Sequence, residues 1–166
     1  MNKYLTHIPI TEEVTDLLRY EFYNNIGRAV KYTAKEKTLD ALEVIRNRDA
    51  EDCVFGHKVA DNLRYMIAHE VKPRYYRQQA GSNLNAHRDY NATVALNVVL
   101  EGSGPIVFDN EHEIHYKCAL IDVTQIHSVR TEDTRVLFRL TMNGISYEEV
   151  LDAIQGAEDD IFYISP

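Results

Sequence analysis

Apolar positions recur at helical spacing near the start of the chain and alternate in its middle. Val14, Leu17, Leu18 and Phe22 stand three and four apart, the period of one helix face. Thr11 precedes them with Glu12 and Glu13, an N-cap and two acids suited to a first helical turn. Thr33 and Glu36 have capping-box spacing ahead of Leu39, Leu42, Val44 and Ile45, which predicts a second helix. Val59, Leu63, Met66 and Ile67 predict a third, over roughly Lys58 to Ala68. Pro73 then disfavours helix at Lys72 and opens an extended segment, Arg74 to Gln79. Gly81 to Asn85 reads as a turn, and Ala92 to Leu100 as a buried strand. Ile106 to Phe108 is a short strand, Asp109-Asn110 a turn, and Ile114 to Ile121 two short strands. Thr134 to Met142 alternates strongly, with Val136, Phe138 and Leu140 on one face and Arg135, Leu137, Arg139 and Thr141 on the other. Ser146 and Glu149 form a capping box for a short helix to about Ile154, and the acidic stretch after Gly156 reads as a solvated end.

Short strands separated by turns predict a mainly β sandwich or jelly roll, with the helices on one outer face. The 166 residues suit a single domain, 1–166. Its expected parts are a helical front (1–70), a β core carrying the site (71–142) and a C-terminal helix with its tail (143–166).

Composition narrows the partners. The net charge of -8 makes a nucleic-acid partner unlikely, because such binding neutralises phosphates with Lys and Arg. Neither a signal peptide nor a membrane span is read in the sequence, so cytoplasmic residence is the expectation. Cys53 and Cys118 lie in no metal-type spacing and are expected to be buried free thiols.

The chemistry concentrates in His87-Arg88-Asp89 and His127. Residues i and i+2 of an extended segment point the same way. His87 and Asp89 can therefore offer an imidazole nitrogen and a carboxylate oxygen to one point, with His127 arriving from a distant strand. Two histidines and a carboxylate on one face of an octahedral ion leave three positions open, as in non-heme iron(II) oxygenases. A His-x-Asp by itself is weak, since this composition yields roughly half an accidental one per chain. Arg135, eight residues beyond His127, strengthens it. A buried arginine is costly unless it meets an anion, so an arginine on the barrel side of a strand is a candidate carboxylate clamp. Arg139 shares its parity and competes for that role; the loser is expected to face solvent or substrate.

The run Arg74-Tyr75-Tyr76, Gly81 and His87-Arg88-Asp89, followed by Leu120-Ile121-Asp122, His127-Ser128-Val129 and Arg135-Val136-Leu137-Phe138, resembles the motif of Fe(II)/2-oxoglutarate dioxygenases. It is most similar to the prolyl hydroxylase and aspartyl/asparaginyl β-hydroxylase branches. The resemblance spans roughly Pro73 to Thr141. It implies a cupin-like double-stranded β-helix in which His87, Asp89 and His127 bind Fe(II) and Arg135 binds the distal carboxylate of 2-oxoglutarate. The implied reaction is hydroxylation of an amino acid or protein side chain by molecular oxygen, with 2-oxoglutarate decarboxylated to succinate. Many prolyl hydroxylase relatives carry a tyrosine where this chain has Asn97. Asn97 and Thr93 share strand parity and are candidate cosubstrate contacts. One tyrosine of the 75–76 pair is expected to point inward, and Tyr76 is assigned that place.

Blander readings stand beside these. His87 and Asp89 could be a hydrogen-bonded surface pair, and His127 a strand-end histidine. His112 and His115 read as hairpin residues, and His57 and His69 as surface histidines of the front. Two other functions keep the fold: a cupin-like metalloenzyme that does not use 2-oxoglutarate, and a non-catalytic jelly-roll binding protein. Response to 2-oxoglutarate through Arg135 separates them from the first reading.

Overall fold

The computed structural model describes residues 2–34, 37–46, 52–109 and 112–163. Strand β1 (Leu5–His7) leads to helix α1 (Glu12–Asn24), then β2 (Val30–Ala34), β3 (Lys37–Arg46) and helix α2 (Val54–Ile67). The strands β4 (Lys72–Gln78), β5 (Asn83–His87), β6 (Val94–Glu101), β7 (Ile106–Phe108), β8 (Cys118–Asp122), β9 (His127–Arg130) and β10 (Arg135–Met142) follow, and α3 (Tyr147–Gly156) comes last.

Among the described residues the strands form a seven-stranded sheet, ordered β1-β8-β6-β10-β4-β3-β2, and a three-stranded sheet, β5-β9-β7. From β4 onward the chain steps between the two sheets, and all pairings are antiparallel. An isolated bridge between Ile106 and Ile114 extends the smaller sheet's edge. This interleaving is a jelly roll, the double-stranded β-helix. Strand alternation divides the large sheet's side chains between two environments. Val94, Leu96, Val98, Phe138 and Leu140 join Leu18, Phe22, Leu63 and Val150 in a core beneath the helices. Ala95, Ala119, Ile121, Ile106, Phe108 and Val129 fill the space between the sheets.

The helix ends follow the sequence signals. Thr11 Oγ1 accepts from the Val14 amide at 3.3 Å, and Ser146 Oγ from the Glu149 amide at 3.1 Å. Helix α2 begins at Val54 without a side-chain cap from Cys53. Instead the Glu21 carboxylate, on α1, accepts from the Phe55 and Gly56 amides at 2.8 Å each. That bond set ties the two helices together and fixes α2 on the sheet.

Four local expectations are corrected. The described residues from Thr33 to Ile45 are not helical: β2 and β3 pair antiparallel there and extend the large sheet past β4. The two isoleucine- and valine-bearing positions Val44 and Ile45 face opposite sides, and both are buried, so tertiary pairing overrides a local capping pattern. Glu36 of that pattern lies outside the described residues. Among the described residues of the front, the helices are α1, α2 and one 3-10 turn at Ile26–Arg28. The Gly81–Asn85 stretch is not wholly a turn, since β5 starts at Asn83 and pairs with β9. Ile114 to Ile121 holds a bridge and one strand, β8, in place of two strands. The tail is not all solvated: Ile161 and Phe162 are buried, and Asn62 Nδ2 donates to the Ile161 and Tyr163 carbonyls.

Candidate metal centre

Asp89 stands just past the end of β5, where its amide donates to the Val123 carbonyl at 3.1 Å. His87 ends β5 and His127 begins β9, and the two are paired residues of the ladder. Their ring centroids are 4.5 Å apart. Asp89 Oδ1 lies 3.3 Å from His87 Nε2 and 3.4 Å from His127 Nε2. One ligand atom from each of the three lies within 4.8 Å of the others.

The ring orientations are set by the backbone. His87 Nδ1 is 2.6 Å from the Asn85 carbonyl, and His127 Nδ1 is 2.8 Å from the Gln125 carbonyl. A carbonyl only accepts, so each Nδ1 carries the proton and donates. In the neutral ring Nε2 then presents its lone pair to the common point, the arrangement that orients metal-ligating histidines. Two imidazole nitrogens and one carboxylate oxygen fit iron(II).

Electrostatics support a charged carboxylate. Burial alone would raise the Asp89 carboxyl, but Arg139, His127 and His87 together hold it well below the usual carboxylate range. The hydrogen bond to Asp89 raises the His87 pKa, against the opposing effect of burial. Arg139 Nη2 donates to Asp89 Oδ2, leaving Oδ1 turned toward the histidines. Arg139 is therefore not solvent-facing. It is mostly covered, with Tyr76 beneath it at 5.9 Å from guanidinium to ring centroid.

Arg135 lies deeper between the sheets and is 3% exposed. Its Nη2 donates to the Tyr116 hydroxyl at 2.7 Å, and Asn97 Nδ2 donates to the same oxygen at 3.0 Å. Arg135 Nε has no hydrogen-bond partner among the described residues. The Tyr116 oxygen thus accepts twice, and among the described residues its own proton meets no acceptor. The sequence alone does not point to Tyr116. It precedes β8 without strand periodicity, and no local signal shows that its ring enters the barrel.

The remaining candidates divide. Tyr75 faces the helical core, where it stacks near Phe138 and donates to Glu21 Oε1 at 2.8 Å. Tyr76 takes the opposite face, toward Arg139. Asn97 pairs across the ladder with Arg139 and reaches the Arg135 cluster. Thr93 lies apart from that cluster: its hydroxyl donates to the Ile145 carbonyl at 2.6 Å. His112 and His115 are exposed, His69 is partly buried, and Cys53 and Cys118 are buried and free. A separate concavity of about 540 Å³, lined by Tyr20, Glu21, Arg28 and Asp52, lies on the helical side away from these residues. No helix among the described residues is long and apolar enough to cross a membrane.

No protein-family model matches the sequence, and no curated protein matches it. Solved structures do. A Pseudomonas putida prolyl-4-hydroxylase aligns at TM-score 0.62 and 12% identity, over 84% of this chain and 91% of that one. The non-heme α-ketoglutarate-dependent epimerase SnoN of nogalamycin biosynthesis aligns at 0.58 and 14%, over 94% and 86%. A Trichoplax adhaerens prolyl hydroxylase, in complex with a hypoxia inducible factor peptide fragment, aligns at 0.59 and 9%, over 93% and 86%. The resemblance to Fe(II)/2-oxoglutarate dioxygenases and their prolyl hydroxylases therefore extends from the motifs to the fold.

Proposed function

We propose that this protein is an Fe(II)- and 2-oxoglutarate-dependent dioxygenase that hydroxylates an amino acid or a protein side chain. The observation that carries the reading is Arg135. It is buried between the sheets, makes no ion pair among the described residues, and keeps Nε without a partner. A buried guanidinium in that state is costly until an anion arrives.

His87, Asp89 and His127 would hold the iron. Bound there, iron with 2-oxoglutarate and oxygen would supply the oxidising chemistry, with 2-oxoglutarate decarboxylated to succinate and carbon dioxide. The chain's own residues bind and orient. Arg135 Nε and the Tyr116 hydroxyl are two unspent donors, suited to the distal carboxylate of the cosubstrate. Asn97 holds the Tyr116 oxygen in place. Ala95, Ala119 and Ile121 wall this region with apolar surface, which excludes water and strengthens the charged hydrogen bonds. Arg139 fixes Asp89 so that only Oδ1 faces the histidines. Thr93 spends its hydroxyl on the Ile145 carbonyl, so it is not assigned to the cosubstrate.

The test is thermal denaturation with manganese(II) as a non-oxidising stand-in. 2-Oxoglutarate should raise the midpoint of the metal-loaded protein, and Arg135→Ala should remove that rise while keeping the rise caused by metal. A 2-oxoglutarate response that survives in Arg135→Ala would sink the assignment. A metal response that survives in His87→Ala would sink the metal site.

A further inference from the structure

The face of the large sheet beside Asp89 carries more positive charge than the proposed cosubstrate can neutralise. Arg139 on β10 is directly opposite Arg74 on β4, and Arg74 is directly opposite Arg46 on β3. Three arginines thus stand in one cross-strand row, and like charges directly opposite each other are destabilising. The protein as a whole is acidic, with a net charge of -8, so general basicity does not explain the row. Glu43, the nearest acid on β3, is on the other face, where it accepts from Arg77 Nε and Nη2 at 3.0 and 2.7 Å.

The row ends at the metal centre. Among the described residues, Asp89 is the acid that meets it, through Arg139 Nη2. Metal ligation would draw on Asp89 charge and leave the row still less balanced. Arg139 Nε and Arg74 Nε are both buried donors without a hydrogen-bond partner among the described residues. Tyr76 sits between them: its hydroxyl accepts from Arg74 Nη1 at 3.4 Å, and its ring underlies Arg139. Tyr32, on β2, brings a second ring within 6.1 Å of Tyr76. Arg135 lies one residue pair beyond Leu137 along β10 and is served by Tyr116, so it belongs to a different set of contacts.

We propose that Arg74 and Arg139, with Tyr76 between them, bind a carboxylate of the primary substrate beside the metal. This rests on the dioxygenase reading, in which Arg135 is occupied by 2-oxoglutarate. Paired guanidinium donors with unspent Nε–H groups suit a planar carboxylate better than a neutral group. The substrate class is therefore an acid: a free amino acid presenting its α-carboxylate, or a peptide presenting an acidic side chain.

The side-chain N–H resonances of arginine read this directly. Protein labelled at arginine nitrogen, loaded with manganese-free zinc(II) as a diamagnetic stand-in, is titrated with 2-oxoglutarate and then with acetate. The expected result has two parts. 2-Oxoglutarate moves the Arg135 Nε–H signal, and acetate afterwards moves those of Arg74 and Arg139 while Arg77 stays still. Arg74→Gln should weaken the acetate response at Arg139 at least ten-fold and leave the Arg135 response to 2-oxoglutarate in place. Glycine and an acetylated aspartyl peptide amide, titrated in parallel, separate the two sources by which binds tighter. If 2-oxoglutarate moves Arg135 but acetate moves neither other arginine, the substrate site is wrong and the cofactor reading stands. If 2-oxoglutarate itself moves Arg74 and Arg139 and not Arg135, both assignments fall. Inorganic phosphate binding more tightly than acetate would overturn the carboxylate.

Discussion

Gly104 lies against the stem of Arg135: a Cβ built on it would stand 2.4 Å from Cδ and 2.6 Å from Nε. Glycine is required here by close approach. Its neighbour Gly102 has φ +72° and a different obstacle, the Thr134 carbonyl oxygen 2.3 Å from a built Cβ. Together they let the β6–β7 connection pass over the start of β10 and press the Arg135 guanidinium toward Tyr116.

Gly104→Ala should therefore displace Arg135 without touching the metal ligands. Weakening of 2-oxoglutarate binding by about ten- to a hundred-fold is expected, the order that a misplacement near 1 Å produces. Manganese binding should stay unchanged. Parallel titrations of metal and 2-oxoglutarate, each followed by the unfolding midpoint, check this. Equal loss of both would show that the substitution disrupts the barrel generally.

Glu21 is the tertiary cap of α2, and its Oε1 also accepts from the buried Tyr75 hydroxyl at 2.8 Å. Removing the carboxylate leaves helix amides and a buried hydroxyl unpaired. Glu21→Ala should cost about 2–4 kcal/mol, from a lost cap and an unsatisfied buried donor. Urea unfolding measures it, and an effect below about 0.5 kcal/mol, the range of ordinary surface substitutions, would contradict the capping role.

The His87–Asp89 pair gives metal-free protein and metal opposite pH preferences. The His87 pKa is raised in the folded state by its bond to Asp89. A raised histidine stabilises the fold fully below its unfolded value, about 6.5, and loses that contribution as pH rises through the folded value. Metal needs the same Nε2 free of its proton. From about pH 6.5 upward the metal-free protein should lose stability relative to His87→Gln, while metal affinity of the native protein rises. Unfolding midpoints of both proteins, with and without manganese(II), test the two slopes. A metal affinity that is flat across this window would show that His87 is not a ligand.

The legible and illegible parts of this molecule differ in the distance over which their causes act. Thr11 and Ser146 act within one helical turn, so both caps could be read from neighbours in sequence. The alternation in β10 also stood out, because one face is fully buried against Phe22 and Tyr75. The β2–β3 pair is not legible in the sequence because Thr33, Leu39 and Leu42 carry a helix-like local pattern, while the pairing of Leu42 with Gln78 and Val44 with Tyr76 joins residues more than thirty positions apart. The grouping of His87, Asp89 and His127 follows from residue type and spacing, and the β5–β9 pairing completes it. Tyr116 and the Arg139–Asp89 pair were not, because both depend on how the two sheets face each other. Sequence parity placed Arg135 and Arg139 on the same face; only the fold separates a guanidinium on Tyr116 from one on Asp89.

The two cysteines should report on different depths of opening. Burial pushes the Cys53 thiol up to about 12, with Glu21 adding to the effect, and burial pushes Cys118 up as well. The thiolate is the reactive form, so both should resist a thiol reagent at neutral pH in the native state. Cys118 lies in β8, bonded on both sides by β1 and β6. It can react only when the large sheet comes apart. Cys53 stands at the first turn of α2, and helix ends open at lower cost than the centre of a sheet. Labelling across a urea series should therefore show Cys53 reacting through a shallow, denaturant-insensitive opening and Cys118 following global unfolding. Mass spectrometry of each peptide distinguishes them. Cys118 reacting ahead of Cys53 would show that β1 detaches before α2 loosens, and that the helices, more than the sheet edge, hold this face together.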